Sequence, residues 1–308
     1  MSELDKDAAP LLGIPAERRI LIVHNPVAGW SRRARVQAVR QALDSMGCRV
    51  EVRMTEHAGH AEDIARGLRP GECDILAVAG GDGTINEVIN GLPPGGPTLA
   101  VIPNGTANVL AHEIGLSQQP EAIARVIAQS QPTAVNIGLA NGRRFVMMAG
   151  VGFDAHVVAG VTPRLKRALR KGAYVWRSLL QMPTFGDRRY RVVIDGESCQ
   201  AASAIVANGR YYAGQFLCAP EARLDQSLFH VCLFKRTGAV NVMRYGLAML
   251  MNRLPRLPDF EIRPGHVVEI EGAVGEPVQA DGDIIARLPV RITLAERPLW
   301  MLRPATAD

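Results

Sequence analysis

The sequence predicts an N-terminal doubly wound α/β domain followed by a C-terminal, mostly antiparallel β-sandwich. Three observations predict it. The chain has 308 residues, more than one hydrophobic core comfortably holds, so two cores are the default. Up to about residue 138, continuous apolar runs alternate with helical periodicity. After it, short strand-like runs follow one another between turn residues.

Residues 1–16 combine early charges with Pro10, Gly13 and Pro15 and read as a flexible lead-in. ILIVHNP (20–26) is nearly all apolar and ends at Asn-Pro, the pattern of a strand buried on both faces of a parallel sheet. From Arg32 to Met46 the residues Val36, Val39, Leu43 and Met46 recur at helical spacing, and Gly47 offers a left-handed stop. CRVEVRMT completes a strand-helix-strand unit. A helix from His60 to about Leu68 leads into DILAVAG, and a helix starting at Gly83 leads through GLPPGGP into TLAVIPNG. Right-handed crossovers between such strands give an open parallel sheet with helices on both faces.

The second half offers RFVMMAGVGF, YRVVIDGESC, ASAIVANG, FHVCLF, FEIRPGHVVEIEG, VQADGD and VRITLAE as strand-like runs. Two helical stretches interrupt them, at about Pro163–Met182 and Ala239–Arg253.

Composition narrows the function classes. Hydrophobic residues make up 47% and charged residues 21% of the chain, which fits a globular protein and excludes a disordered one. The net charge of +5 suits anionic small molecules or an anionic membrane surface, and no nucleic-acid partner is expected. No stretch reaches the length of a spanning helix, and MSELDKDAAP is acidic where a signal peptide is basic, so a cytoplasmic location is expected. Cys48, Cys73, Cys199, Cys218 and Cys232 show no CxxC spacing and read as small buried hydrophobes.

The most informative segment is AVAGGDGTINEVINGL (77–92). An apolar strand runs into Gly80, Gly81, Asp82, Gly83 and Thr84, and a helix follows. Glycines let backbone N–H groups approach a polyphosphate, and a helix N-terminus adds donors and partial positive charge. A carboxylate in such a loop repels phosphate unless a cation lies between them, so Asp82 implies magnesium. NPVAG (25–29) and PNGTANVLA (103–111) also follow predicted strands, so three loops should open at one carboxyl edge of the sheet, where α/β proteins bind ligands. Gly105, Thr106 and Asn108 in the third loop suit a phosphate or its hydration shell.

Together, GGDGTINEV, NPVAG and PNGTANVLA resemble the nucleotide loops of the diacylglycerol kinase catalytic-domain family, which includes bacterial lipid kinases and sphingosine kinases. The resemblance continues in order through GVGFDA (150–155), KGAY (171–174), NGRYYAGQFLCAPEA (208–222) and QADGD (279–283), nearly the whole chain. It implies a nucleotide domain akin to those of NAD kinases and phosphofructokinases over 17–138, completed by 296–305 through the strand PLWMLRP. A β-sandwich domain for the lipid substrate then covers 139–295.

The activity implied is transfer of the γ-phosphate of ATP, with Mg2+, to a hydroxyl of a membrane lipid. By resemblance the nucleotide meets Asn25, Pro26, Gly29, Thr55, Gly80 to Thr84, Gly105, Thr106 and Asn108. Glu87, five residues after Asp82, either braces the loop or faces solvent. The family places its catalytic base in a DGE motif; Asp281, Gly282 and Asp283 stand here, the second acid one methylene shorter, and either aspartate could serve. QADGDIIAR equally fits an Asp-Gly hairpin turn. Asp154 in GVGFDA matches a position that contacts the lipid headgroup in related kinases, or else it is a capping aspartate. Where the family shows PxAxxxDGxLDV, with an Asp that helps hold a structural magnesium ion, this chain has Gln226, with Asp225 beside it. A neutral amide brings no full charge, so that ion is expected to be weakly held or absent.

TPRLKRALRKGAYVWRSLLQMP (162–183) mixes Arg164, Lys166, Arg167, Arg170, Lys171 and Arg177 with Leu165, Leu169, Tyr174, Trp176, Leu179 and Leu180. Such a helix suits either peripheral contact with the inner face of an anionic membrane or a solvated cover for its own domain. Homodimerisation is left open. Two rivals remain: an NAD kinase, which shares a GGDG loop, and a nucleotide- or membrane-binding regulator weakened at Gln226 and Asp283.

Overall fold

A computed structural model describes residues 17–26, 30–160 and 188–305. The lead-in 1–16, Gly29 and the expected helix 163–182 with its basic residues lie outside the described residues. The chain divides into two units, Met1–Val135 with Glu296–Asp308, and Asn136–Ala295.

The first unit is built on a six-stranded sheet. Strands β1 (Arg19–His24), β2 (Arg49–Met54), β3 (Ile75–Gly80) and β4 (Thr98–Pro103) run parallel in the order β2-β1-β3-β4. The chain's last strand, Leu299–Leu302 (β20), lies parallel to β4 and antiparallel to β5 (Pro132–Val135) at the far edge. Every residue of β3 and β4 is buried, which is why their sequences are continuous apolar runs rather than alternating ones. β2, at an edge, has no fully buried residue.

Among the described residues, five helices complete the unit: α1 (Trp30–Ser45), α2 (His60–Arg66), α3 (Asp82–Gly91), α4 (Val109–Glu113) and α5 (Pro120–Gln129). Val36, Val39 and Leu43 form the buried stripe of α1, whereas Met46 falls one residue past its end and is exposed. α3 packs on α2 at Gly91, where an added Cβ would lie 2.1 Å from the Glu62 carbonyl oxygen. α4 and α5 have no counterpart in the sequence reading.

The second unit is a β-sandwich. Its strands are β6 (Gly138–Ala140), β7 (Arg143–Phe145), β8 (Met148–Val151), β9 (Tyr190–Ile194), β10 (Glu197–Ala201), β11 (Ser203–Ala207), β12 (Tyr211–Tyr212), β13 (Phe216–Leu217), β14 (Phe229–Phe234), β15 (Phe260–Gly265), β16 (Val268–Glu271), β17 (Pro277–Ala280), β18 (Asp283–Arg287) and β19 (Val290–Leu294). One sheet has the order β10-β9-β16-β19-β6-β7, the other β15-β14-β11-β8-β17-β18, and every pairing in both is antiparallel. Tyr190, Val192 and Ile194 from the first sheet meet Phe229, Val231 and Leu233 from the second in one core, each set at the two-residue period of a strand face.

Two runs read as single strands are divided. RFVMMAGVGF splits at Val146–Met147 into β7 and β8, and Gly152, at φ +97°, a region that side chains avoid, then turns the chain from β8 into helix α6 (Phe153–Gly160). FEIRPGHVVEIEG splits at Gly265, and its halves β15 and β16 belong to different sheets. Helix α7 (Ala239–Leu250) packs against β14 through Tyr245 and Phe234, whose rings meet edge to face at 5.1 Å. Among the described residues no helix is long and apolar enough to cross a membrane.

Candidate functional site

Because β1, β3 and β4 are parallel neighbours, the segments after them leave the sheet at the same edge. The Asn25 backbone N–H donates to the Ala79 carbonyl at 3.0 Å, and its side-chain amide donates to the Thr84 hydroxyl at 3.1 Å. That bond ties the first loop to the first turn of α3. Thr55 is buried at the end of β2, its N–H bonded to the His24 carbonyl, while Pro26 follows Asn25 in a partly exposed turn.

The second and third loops touch through backbone. A Cβ added to Gly105 would lie 2.4 Å from the Gly81 Cα, and one added to Gly81 would lie 3.0 Å from the Gly105 Cα. Neither glycine has a positive φ, so close approach, not backbone conformation, is what requires glycine here. Asn108, at φ 49°, closes the third loop by accepting the Gly105 N–H at 2.7 Å, and Thr106 is left exposed at its tip. Helix α3 starts after Gly81 with no side-chain cap, and within its first turn the Thr84 N–H donates to the Gly81 carbonyl at 3.0 Å.

Asp82 bridges these loops. Its carboxylate accepts the Leu110 N–H at 3.3 Å, at the start of α4. Burial pushes its pKa up, and backbone N–H groups from Leu110, Val109 and Asn108 act against that rise. Asn104 was not singled out by the sequence. It is 1% exposed, and both polar atoms of its side chain lack a partner among the described residues, a costly state unless a ligand or water meets them. Its position inside PNGTAN was the only available signal.

Glu87 neither braces the glycine loop nor simply faces solvent; it caps a neighbouring helix. Its carboxylate accepts the Ala61 N–H at 3.2 Å, serving α2, whose own N-cap, Gly59, has no side chain to offer. Glu87→Ala is therefore expected to cost about 1 kcal/mol of stability, as cap losses do, read as a lower thermal midpoint.

In the second unit the two acids of the DGD segment have different environments. Asp281 (φ 50°) and Gly282 (φ 89°) form the two-residue turn of a hairpin joining β17 to β18, with Ala280 paired to Asp283. The Asp281 carboxylate accepts N–H groups from Val146 at 2.7 Å, Met147 at 2.9 Å and Met148 at 3.1 Å. Asp283 opens β18 and is partly exposed.

Gln279 joins this turn to Asp154. Its amide N–H donates to Asp154 Oδ2 at 2.9 Å, and its Oε1 accepts the Gly282 N–H at 3.1 Å. Gln279 is buried and was missed because nothing local marks a glutamine in a strand as a bridge. The Asp154 carboxyl lies against Gly150, where an added Cβ would come 2.5 Å from Oδ2. Burial pushes its pKa up to about 7, and the N–H donors of Gln279 and Ala155 limit the rise.

A value raised in the fold penalises the charged form, so stability from this group is complete below about pH 4 and is lost as pH rises through about 7. Asp154→Asn cannot ionise. Relative to wild type, its unfolding free energy is expected to improve progressively between pH 4 and pH 7 by ~2–4 kcal/mol and then level off.

The residues at the suggested structural cation site do not fit one. Asp225 is paired bidentately with Arg223, both contacts at 3.0 Å, and the Gln226 Oε1 meets His230 Nε2 at 3.2 Å. No cluster of three or more His, Cys, Asp or Glu side chains suited to a metal occurs among the described residues.

Comparison with known proteins divides the chain near the same place, though the second match runs on through β20, which packs in the first unit. The diacylglycerol kinase catalytic domain matches residues 19–140, and the YegS C-terminal NAD kinase beta sandwich-like domain matches residues 147–303. The chain belongs to the diacylglycerol kinase catalytic-domain family. Among its relatives, the diacylglycerol kinase of Bacillus subtilis (strain 168) is 27% identical over 295 residues, covering 93% of this chain and 97% of its own. A diacylglycerol kinase of Staphylococcus aureus (strain bovine RF122 / ET3-1) is 25% identical and covers 93% of each chain. A solved diacylglycerol kinase from Bacillus anthracis superposes with a TM-score of 0.72 at 24% identity, covering 93% of this chain and 97% of that one, a likeness that speaks for the fold.

The diacylglycerol kinase catalytic-domain match spans all three loops at the carboxyl edge of the sheet. Gln226, where the resemblance implied a carboxylate, has His230 as its neighbour.

Proposed function

We propose that this protein is an ATP-dependent lipid kinase that transfers the γ-phosphate to a hydroxyl of a membrane lipid. The observation that carries this reading is the contact of Gly81 with Gly105 beside the uncapped start of α3. It leaves a glycine-lined backbone cradle where a side chain would otherwise stand, and the unpartnered Asn104 amide next to it supplies further polar atoms. Both features suit a polyphosphate.

Asp82 holds the second and third loops in register through Leu110. The magnesium ion that accompanies ATP would be held by the phosphates and Asp82, and when bound it neutralises the charge that builds up on the transferred group. Positioning and charge neutralisation carry most of phosphoryl transfer, so the remaining task is to accept the proton of the lipid hydroxyl. Asp283 takes that role. Asp281 is committed to three backbone N–H groups, and a proton on it would displace at least one of them. Asp154, steadied by Gln279, meets the headgroup of the acceptor.

Incubation with labelled ATP, magnesium and vesicles of total lipid extract, followed by mass identification of the labelled product, tests the reading. A phosphorylated lipid is expected, and Asp82→Ala abolishes it. Transfer to NAD in place of lipid supports an NAD kinase, and vesicle binding with no transfer supports a regulator.

A further inference from the structure

Helix α7 is amphipathic in the inverted sense. Val240, Met243, Leu247 and Leu250 are between 54% and 73% exposed and recur at intervals of three and four, so they form one apolar stripe facing out, with Met251, 49% exposed, just past the helix end. Five of the nine large exposed hydrophobic side chains among the described residues lie here, which makes this a patch rather than scattered exposure. The other face is firmly seated. Tyr245 and Ala248 are buried, and the Tyr245 hydroxyl donates to Asp259 Oδ2 at 2.7 Å. Arg244 also pairs with Asp259, so the helix cannot roll its stripe inward without breaking buried polar contacts.

Charge identifies what covers the stripe. Arg244 is the one charged residue within α7, and exposed arginines stand beyond each end, Arg236 before it and Arg253 and Arg256 after it. Asp259 and Glu261 each lie between two cations, Arg244 with Arg236 and Lys235 with Arg263, so these groups keep a net positive charge, and Arg236 remains 68% exposed. An apolar strip with a basic rim at both ends complements an anionic bilayer. A second copy of the chain is the poorer fit, because a two-fold contact through this face brings arginine rims together whichever way the helices run.

We propose that α7 is a membrane-docking face that lies in the interface of an anionic phospholipid surface, its stripe at the acyl boundary and Arg236, Arg253 and Arg256 on lipid phosphates. It rests on the reading of the acceptor as a membrane lipid for its purpose, but the contact itself needs neither nucleotide nor catalysis.

The test is co-sedimentation of the full chain, without ATP, with phosphatidylcholine vesicles containing or lacking phosphatidylglycerol. The triple variant Met243→Ser/Leu247→Ser/Leu250→Ser is expected to partition about tenfold or more less well than wild type, since each substitution removes apolar area from the contact. Arg253→Gln/Arg256→Gln, which leaves the stripe intact, is expected to lose roughly tenfold on anionic vesicles and nothing on neutral ones. Unchanged thermal midpoints exclude misfolding for both. Wild-type partitioning by the triple variant, or failure of the wild type to bind anionic vesicles, overturns the proposal. So does a wild-type dimer that the triple variant converts to monomer with vesicle binding intact, which assigns the face to a second copy. A chain that docks as described yet phosphorylates no lipid leaves the docking face standing and removes the kinase reading.

Discussion

Gly105→Ala is expected to lower affinity for ATP by about a hundredfold or more, with little change in thermal stability. The added Cβ would sit 2.4 Å from the Gly81 Cα, backbone against backbone, so no side-chain rotation relieves it. The second and third loops must part by an appreciable fraction of an ångström. Displacements of about 1 Å at a positioned site commonly cost on the order of a hundredfold. Because Gly105 has an ordinary φ, alanine fits its backbone conformation and the sheet beneath is untouched. Isothermal titration with ATP and magnesium, alongside a melting curve, separates the two effects. A variant that binds ATP as wild type does would show that the loop contact has no part in holding nucleotide.

Asp283→Asn and Asp281→Ala are expected to fail in opposite ways. Loss of a proton acceptor typically lowers kcat by about 10²–10⁴, so Asp283→Asn should retain KM for ATP and its thermal midpoint while turnover on lipid collapses. Asp281→Ala strands the N–H groups of Val146, Met147 and Met148, three residues no more than 4% exposed. Each buried donor left without a partner costs about 1–3 kcal/mol, so this variant should lose about 3 kcal/mol or more and unfold at markedly lower temperature. Kinetics and melting curves on both variants decide the assignment. Equal turnover of Asp283→Asn and wild type would return the chemistry to another group.

What the sequence disclosed depended on how local the physics was. β3 and β4 were readable because a strand covered on both faces must be apolar throughout, and α1 because Val36, Val39 and Leu43 repeat at its own period. The turn from β8 into α6 was hidden because it rests on the conformation of one glycine, Gly152. The crossing between sheets near Gly265 is held by Asp195, whose carboxylate accepts the His266 and Val267 N–H groups from 71 and 72 positions away. No window of sequence contains that bond.

The same distinction applies to the site. GGDG and PNGTAN announced themselves by composition, and the Asp-Gly hairpin was legible as a turn. That Asp281 spends its carboxylate on residues 146–148, and that Gln279 couples the turn to Asp154, are facts of tertiary contact. Glu87 illustrates the middle case: a helix position told where it lies, but only packing against α2 showed that it caps Ala61.

All of the chemistry assigned here requires the polyphosphate to lie on the backbone around Gly81 and Gly105. Amide hydrogen exchange with and without ATP and magnesium measures this directly. Slowed exchange in segments 80–85 and 104–110 on nucleotide addition is the predicted result. Protection confined to other segments, with these two unchanged at saturating nucleotide, would contradict it.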